Sequence, residues 1–401
     1  MLQGAEPWAT WFYPLAWYPT LALAELWLIR RRGRGLLRQS PHVGVAMLGW
    51  SVPFWLLFEL FNFRVQNWYY VFVPHHPVER WAGITLSFAT VLPAVFVFRE
   101  VMAELGLGAG SRWRELRVAN RLPEGLQLAG IGFVAASLAW PLYFFPLVWG
   151  AMTLLFDPWV YRRDPGRSLL GALEKGRPGV VLQLLAGGLA IGFLWELYNA
   201  AARGKWIYTV PGLEELKVFE MPLLGFLGFP VLALDAWVAW NALRLLGLAP
   251  GCEGVRAGRV RALAIGVATA LCVGVPTGME RWTITSTRPV LAELVGDAAP
   301  ILDLSGYDAF SLARSEPSGV ALAVGVPIET ARRWVERAQL VTLRGIGVET
   351  AERLEAAGVP TVHALAAADA DALAEDVRAA NHAQRARVRI WVEAAREATG
   401  R

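Results

Sequence analysis

Two carboxylates stand out for where they sit. Glu59 lies in "WLLFELFNFRVQNWYY" (residues 55–70) and Glu196 in "FLWELYNAAARGKWIY" (residues 193–208), each within an otherwise apolar run. Three residues after each comes an asparagine, Asn62 and Asn199, and seven after each comes Gln66 or Arg203. On a helix these spacings share one face. A carboxyl at membrane depth is costly unless it is protonated, paired or turned toward a protein-lined cavity, so the pattern predicts either acid chemistry or a hydrogen-bond clamp between helices. A Trp-x-Tyr follows each time: Trp68 with Tyr70, and Trp206 with Tyr208. These rings suit an aromatic belt at the membrane interface or, in the sharper reading, the lining of a ligand cleft.

The elements that must position these residues are hydrophobic. Of 401 residues, 55% are apolar and 18% charged, with a mean hydropathy of +0.38. Soluble domains run closer to a quarter charged, so the composition is that of a membrane protein. Eight apolar spans are expected, roughly 9–29, 43–63, 82–103, 126–143, 144–161, 179–200, 219–244 and 259–279. Each approaches the ~20 residues that cross a bilayer. The first lacks a positive leading region and is read as retained rather than as a signal peptide. Basic residues cluster after spans one, three, five and seven, as in "RRRGRGLLR" and "YRRDPGR". The positive-inside rule then puts the N-terminus and the C-terminal domain outside a bacterial-type inner or plasma membrane.

The two acid-bearing segments belong to a longer repeat. Pro41 and Pro178, Pro74 and Pro211, and Pro93 and Pro230 are all 137 residues apart, as are Glu59 and Glu196. Upstream, Trp17 matches Trp149, Trp27 matches Trp159 and Arg30 matches Arg162, at a spacing of 132. Four spans per half preserve direction, so the expectation is two parallel repeats, residues 1–143 and 144–282. Glu220 and Asp235 have no acidic twin, since Gly83 and Phe98 hold the matching positions. His75 and His76 lack further ligands at metal spacing, and no metal site is expected. Cys252 and Cys272 are too few for a disulfide framework. No phosphate-binding glycine loop, nucleophile elbow or dinucleotide fingerprint is present.

"WELYNAAARGKWIYTVPG" followed by "FEMPLLGFLGFPVLALD" (within 195–235), and more loosely "FELFNFRVQNWYYVFVP" (58–74), resemble the lycopene cyclase domain family, here in tandem over about residues 8–280. That family's acid after Trp is usually Asp; here Glu196 follows Trp195 and Glu59 follows Phe58. Its Pro-x-Glu-Glu is replaced by Pro222-Leu-Leu-Gly225, and Glu220 stands as the substitute acid. The resemblance implies a long isoprenoid or carotenoid ligand and cofactor-independent cyclisation or isomerisation begun by protonating a double bond. Glu196, Glu59 and Glu220 would be the acids and Asn62 and Asn199 their orienting groups. Trp68, Tyr70, Trp206, Tyr208 and Arg203 would contact the ligand. The alternative is a non-catalytic membrane scaffold or assembly subunit. A transporter on parallel repeats fits less well, with one polar cluster per half.

After a linker at 283–302, residues 303–401 turn rich in Ala, Arg and Glu. "LVTLRGIGVETAERLEAAGV" (340–359) reads as a helix-hairpin-helix with its turn at Gly345 and Gly347, and "WVERA" and "WVEAA" recur 57 residues apart. This resembles tandem helix-hairpin-helix modules of DNA-binding proteins. Yet residues 305–401 hold 12 Arg and no Lys against 13 Asp and Glu, so there is no charge excess to meet phosphates. A protein partner is expected, and DNA is not.

Overall fold

The computed structural model describes residues 7–38, 40–211, 217–251 and 258–400; Cys252 lies outside them. Its first part is a helical bundle: α1 (Phe12–Arg32), α2 (Pro41–Val65), α3 (Pro77–Phe88), α4 (Val91–Glu104), α5 (Leu122–Ala139), α6 (Pro141–Phe144), α7 (Ala151–Arg163), α8 (Leu169–Glu174), α9 (Gly179–Ala201), α10 (Gly228–Leu245) and α11 (Gly258–Trp282). Six described segments are long and apolar enough to cross a membrane: Pro41–Val65, Pro77–Glu104, Leu122–Ala139, Gly179–Ala201, Leu223–Leu245 and Gly258–Trp282. The chain has the build of a polytopic membrane protein, and outward side chains such as Leu128, Leu263 and Val273 are exposed as lipid-facing residues should be.

Two expected spans fall outside that set for local reasons. Helix α1 has 21 residues but carries Glu25 and ends in Arg30, Arg31 and Arg32. The stretch expected to span from 144 to 161 is broken: Phe145–Val148 form a 3-10 turn, Gly150 has φ 86, and α7 is only 13 residues long. Pro141 and Pro146 explain the break, since neither has an N–H to continue a helical ladder.

Third-helix architecture shows how a break can be satisfied. Pro93 cannot donate to the carbonyl of residue 89, and α3 stops at Phe88 before α4 resumes at Val91. Ser51 of α2 fills the gap, donating its hydroxyl to Phe88 O and accepting Leu92 N at 3.0 Å. In packing, α1 and α2 lie on α4, α7 and α9 lie on α10, and α4 crosses to α9.

Buried acids outside the expected set serve the backbone. Glu25 accepts Leu36 N at 2.9 Å, and Asp157 accepts Leu169 N and Leu170 N at 2.9 and 2.8 Å. These two acids are 132 residues apart and hold equivalent loops. Asp235 accepts Gly150 N, Thr153 N and Thr153 Oγ1 at 2.6–2.8 Å, capping the start of α7 from another helix.

The bundle is not purely helical. A ribbon of β1 (Trp68–Val71) and β2 (Lys205–Tyr208) joins the two acid-bearing segments, and a shorter one pairs β3 (Lys217–Val218) with β4 (Met221–Pro222). Residues 283–288, expected as linker, run parallel to β1: Tyr70 N donates to Thr283 O at 2.7 Å and Arg288 N to Val73 O at 2.8 Å. Arg288 also donates to Thr10 Oγ1 at 2.9 Å, so both ends of the bundle segment meet on the ribbon side.

The C-terminal domain is a second helical core of α12 (Leu291–Val295), α13 (Ala299–Leu304), α14 (Ala309–Leu312), α15 (Pro317–Val324), α16 (Ile328–Thr342), α17 (Gly347–Ala356), α18 (Val362–Ala367), α19 (Ala370–Asp376) and α20 (His382–Thr399). Leu291, Leu294, Val295 and Leu302 join that core, which therefore begins within the stretch assigned to linker. Val335 and Val392 of the two recurring sequences are both buried, each at the centre of a long helix.

Candidate functional site

The ribbon organises the site. Its strands are antiparallel, with Trp68 opposite Tyr208, Tyr69 opposite Ile207 and Tyr70 opposite Trp206. Equivalent residues of the repeat thus exchange places about the Tyr69–Ile207 pair. Because side chains alternate along a strand, Trp68, Tyr70, Trp206 and Tyr208 face one way and Tyr69, Val71 and Ile207 the other.

The first face walls a cavity of about 530 Å³. Trp55, Trp149, Trp195 and Tyr13 add further rings to its lining, and Phe88, Met221 and Phe229 are among its apolar residues. Volume and lining suit a mainly apolar small molecule. Trp149 and Phe58 stack at 5.0 Å, and Trp17 meets Trp195 edge-on at 5.7 Å, so the wall is held by packed rings. Trp149 was legible as the twin of Trp17, but nothing in the sequence told which twin faces a cavity. Trp55 and Trp195 stand four and one residues before the acids, and only the fold shows what they line.

Glu59 and Glu196 are completely buried behind that wall. Glu59 Oε1 accepts Tyr70 OH at 2.6 Å, Trp55 Nε1 at 2.9 Å and Trp68 Nε1 at 3.1 Å. Glu196 Oε1 accepts Tyr208 OH at 2.8 Å, and Trp206 Nε1 donates to the Tyr208 oxygen at 2.7 Å. Oε2 of each acid is buried without a partner. Each carboxyl therefore reaches the cavity through one tyrosine hydroxyl.

Both asparagines hold the backbone of the ribbon. Asn62 donates from Nδ2 to Trp68 O at 2.9 Å and accepts Asn67 N at 2.9 Å. Asn199 donates to Trp206 O at 2.9 Å and accepts Trp206 N at 3.0 Å. Each carboxamide substitutes for a neighbouring strand and fixes where its Trp-x-Tyr enters the ribbon.

Glu220 is not a free acid. It is buried, receives both terminal guanidinium nitrogens of Arg344 at 2.9 and 2.7 Å, and lies 3.2 Å from Lys205 Nζ. The fork geometry is the strong one for Arg and carboxylate. Arg203 lines the cavity, but its NH1 donates to Asp308 Oδ2 at 2.8 Å and its guanidinium lies 4.4 Å from the Phe310 ring.

These contacts belong to the ribbon's outer face, onto which the C-terminal domain docks. Tyr69, Val71, Phe72, Ile207 and Ile390 form a cluster of buried residues, and Arg387 stacks on Tyr69 at 4.5 Å. Burial pushes the Tyr69 phenol up and lowers Arg387. Gly345 and Gly347, expected as the hairpin turn, have φ of 82 and 70 and are buried. A Cβ on Gly345 would stand 2.3 Å from Val71 Cγ1, and Ser286 Oγ donates to Gly345 O at 3.0 Å. The turn is occupied by this chain's own ribbon. His75 and His76 are exposed, and no metal-binding cluster occurs among the described residues.

Residues 310–398 match a family described as a domain of unknown function, DUF4332. No curated protein and no solved structure matches the chain.

Proposed function

We propose that this is a multi-pass membrane protein with a tandem lycopene-cyclase-like fold that binds a long isoprenoid, such as a carotenoid, and cyclises or isomerises it by acid catalysis. The observation that carries this reading is the cavity itself: apolar, ringed by equivalent Trp and Tyr residues from both segments, with a carboxyl one hydrogen bond behind each tyrosine. With the Glu196–Tyr208 bond reversed, so that protonated Glu196 donates to the tyrosine oxygen, Tyr208 would give its own proton to a terminal double bond and take up the one from Glu196, leaving Glu196 as the carboxylate. The alkene's π electrons form the new C–H bond, ring closure or bond shift moves the positive charge, and loss of a proton to the resulting base restores neutrality. Indole faces favour the cationic intermediate through their quadrupole. The matched bonds of Glu25 and Asp157, of Asn62 and Asn199, and of the exchanged strands support two parallel four-helix repeats, with α1 and the broken 144–163 stretch completing eight passes. In this arrangement the basic loops are cytoplasmic and the N-terminus, ribbon and helix-hairpin-helix domain lie outside.

A second reading, a non-catalytic scaffold, draws on Glu59, whose one oxygen gathers three donors as a clamp would. Pigment extraction from cells making the protein beside a linear carotenoid separates the two. A changed pigment is expected from the native chain and is expected to be lost in Glu196→Gln at unchanged protein level. Unchanged pigment with the native chain and none co-purifying would defeat the enzyme reading.

A further inference from the structure

One polar side chain in the cavity wall has no work to do inside the protein. Asn67 follows α2, lines the cavity and is 4% exposed. Its backbone is fully used: the N–H goes to Asn62 Oδ1 at 2.9 Å and the carbonyl accepts Thr209 N at 2.8 Å. Its carboxamide is not, since Oδ1 is buried without a hydrogen-bond partner. Protein interiors rarely leave a buried amide unmet, and such a group favours any ligand that can meet it.

The other polar groups of the wall are already committed. Tyr70 and Tyr208 donate to Glu59 and Glu196, Arg80 pairs with Glu280, Arg203 with Asp308 and Lys205 with Glu220. These three cations are each neutralised by a carboxylate of this chain, and Arg288, the fourth cation of the wall, donates to Thr10 Oγ1. Lys205 is the repeat equivalent of Asn67, at the same place before the Trp-x-Tyr, so the unmatched neutral amide marks one end of the cavity only.

We infer that the ligand of this cavity is an apolar chain bearing a hydroxyl group, which Asn67 binds and by which it fixes the ligand's direction. This rests on the isoprenoid reading above and narrows it from a hydrocarbon to an oxygenated member of the class. A hydroxyl both donates and accepts, and so satisfies a carboxamide whichever way its oxygen and nitrogen lie. A hydrocarbon would leave the amide stranded against apolar atoms.

The test compares a C40 polyene hydrocarbon with the same polyene carrying a terminal hydroxyl. Binding to the full-length protein in lipid nanodiscs is followed by quenching of the cavity tryptophans. The hydroxylated polyene is expected to bind the native protein about tenfold tighter, as one neutral hydrogen bond to a buried amide allows. Asn67→Leu is expected to erase that preference while hydrocarbon affinity is kept, because the substitution removes no hydrogen bond made within the protein. Thermal unfolding of the variant checks that the ribbon stays intact, and Asn67→Gln provides a second variant that retains the amide. Equal affinity of the native protein for both polyenes, or a preference surviving in Asn67→Leu, overturns the inference and leaves the isoprenoid reading standing. Binding of neither polyene overturns both.

Discussion

The two acid sites have the same layout but different bonding. Glu59 gathers three donors on one oxygen, whereas Glu196 receives one, and the indole of Trp206 goes to Tyr208 instead. The difference starts on the helix. Trp55, which donates to Glu59, is replaced at the repeat position by Gly192, and Ser51 is replaced by Gly188. Those glycines let α9 lie directly on α10: a Cβ on Gly192 would stand 2.2 Å from Phe229 Cδ2, and one on Gly188 would stand 2.7 Å from Phe229 O. Close helix packing in one segment thus removed a donor from its acid, leaving that acid less tied down beside the same cavity.

The largest expected effect tests this count of donors. Glu59→Leu strands two indole N–H groups and a phenol, at about 1–3 kcal/mol each, while Glu196→Leu strands only the Tyr208 hydroxyl. Unfolding in mixed detergent micelles should show Glu59→Leu as the more damaging by several kcal/mol. Equal losses would mean that something other than hydrogen bonding distinguishes the two sites.

A smaller effect sharpens another asymmetry. Only the second segment is ion-paired to the C-terminal domain through these positions, because the repeat equivalents of Glu220 and Arg203 are Gly83 and Gln66. Arg344→Ala leaves buried Glu220 with Lys205 alone and should loosen the domain from the ribbon. Limited proteolysis should cut within 283–290 about tenfold faster, equivalent to about 1.4 kcal/mol of easier opening. Unchanged cleavage would show that the apolar cluster around Tyr69 suffices.

The smallest effect depends on acidity. Burial acts to raise the Asp308 carboxyl, but the Ser311 N–H and Arg203 outweigh it and hold the group below its usual 3.8. A lowered folded value stabilises above the usual value and is lost as pH falls through the lower one. Below about pH 3.8 the Arg203–Asp308 link should therefore weaken, raising hydrogen exchange around 308–311 before it rises at Gln66. Simultaneous exchange at both places would remove the asymmetry.

Much of this molecule is written locally. Long apolar runs dictate helices, clustered arginines mark one end of the bundle, and repeated Glu, Asn and Trp-x-Tyr identify the segments that meet. Those features depend on residue type and spacing, which a one-dimensional pattern carries. Periodicity also placed the C-terminal helices and the glycine turn at Gly345. What spacing cannot carry is which partner a polar group finds. A four-residue strand such as Trp68–Val71 is too short to announce itself beside helices, and it forms because Lys205–Tyr208 arrives from the other half. That pairing turns Trp68 and Tyr70 toward the cavity and Tyr69 toward the C-terminal domain. It also brings Glu220 to Arg344 across 124 residues, making a salt bridge of what looks in sequence like a spare acid. Hydrophobicity marks the segments that are long and apolar enough to cross a membrane; only the closing of distant segments on one another decided which acids are buried behind the cavity and which fasten the domain that docks on the ribbon's other face.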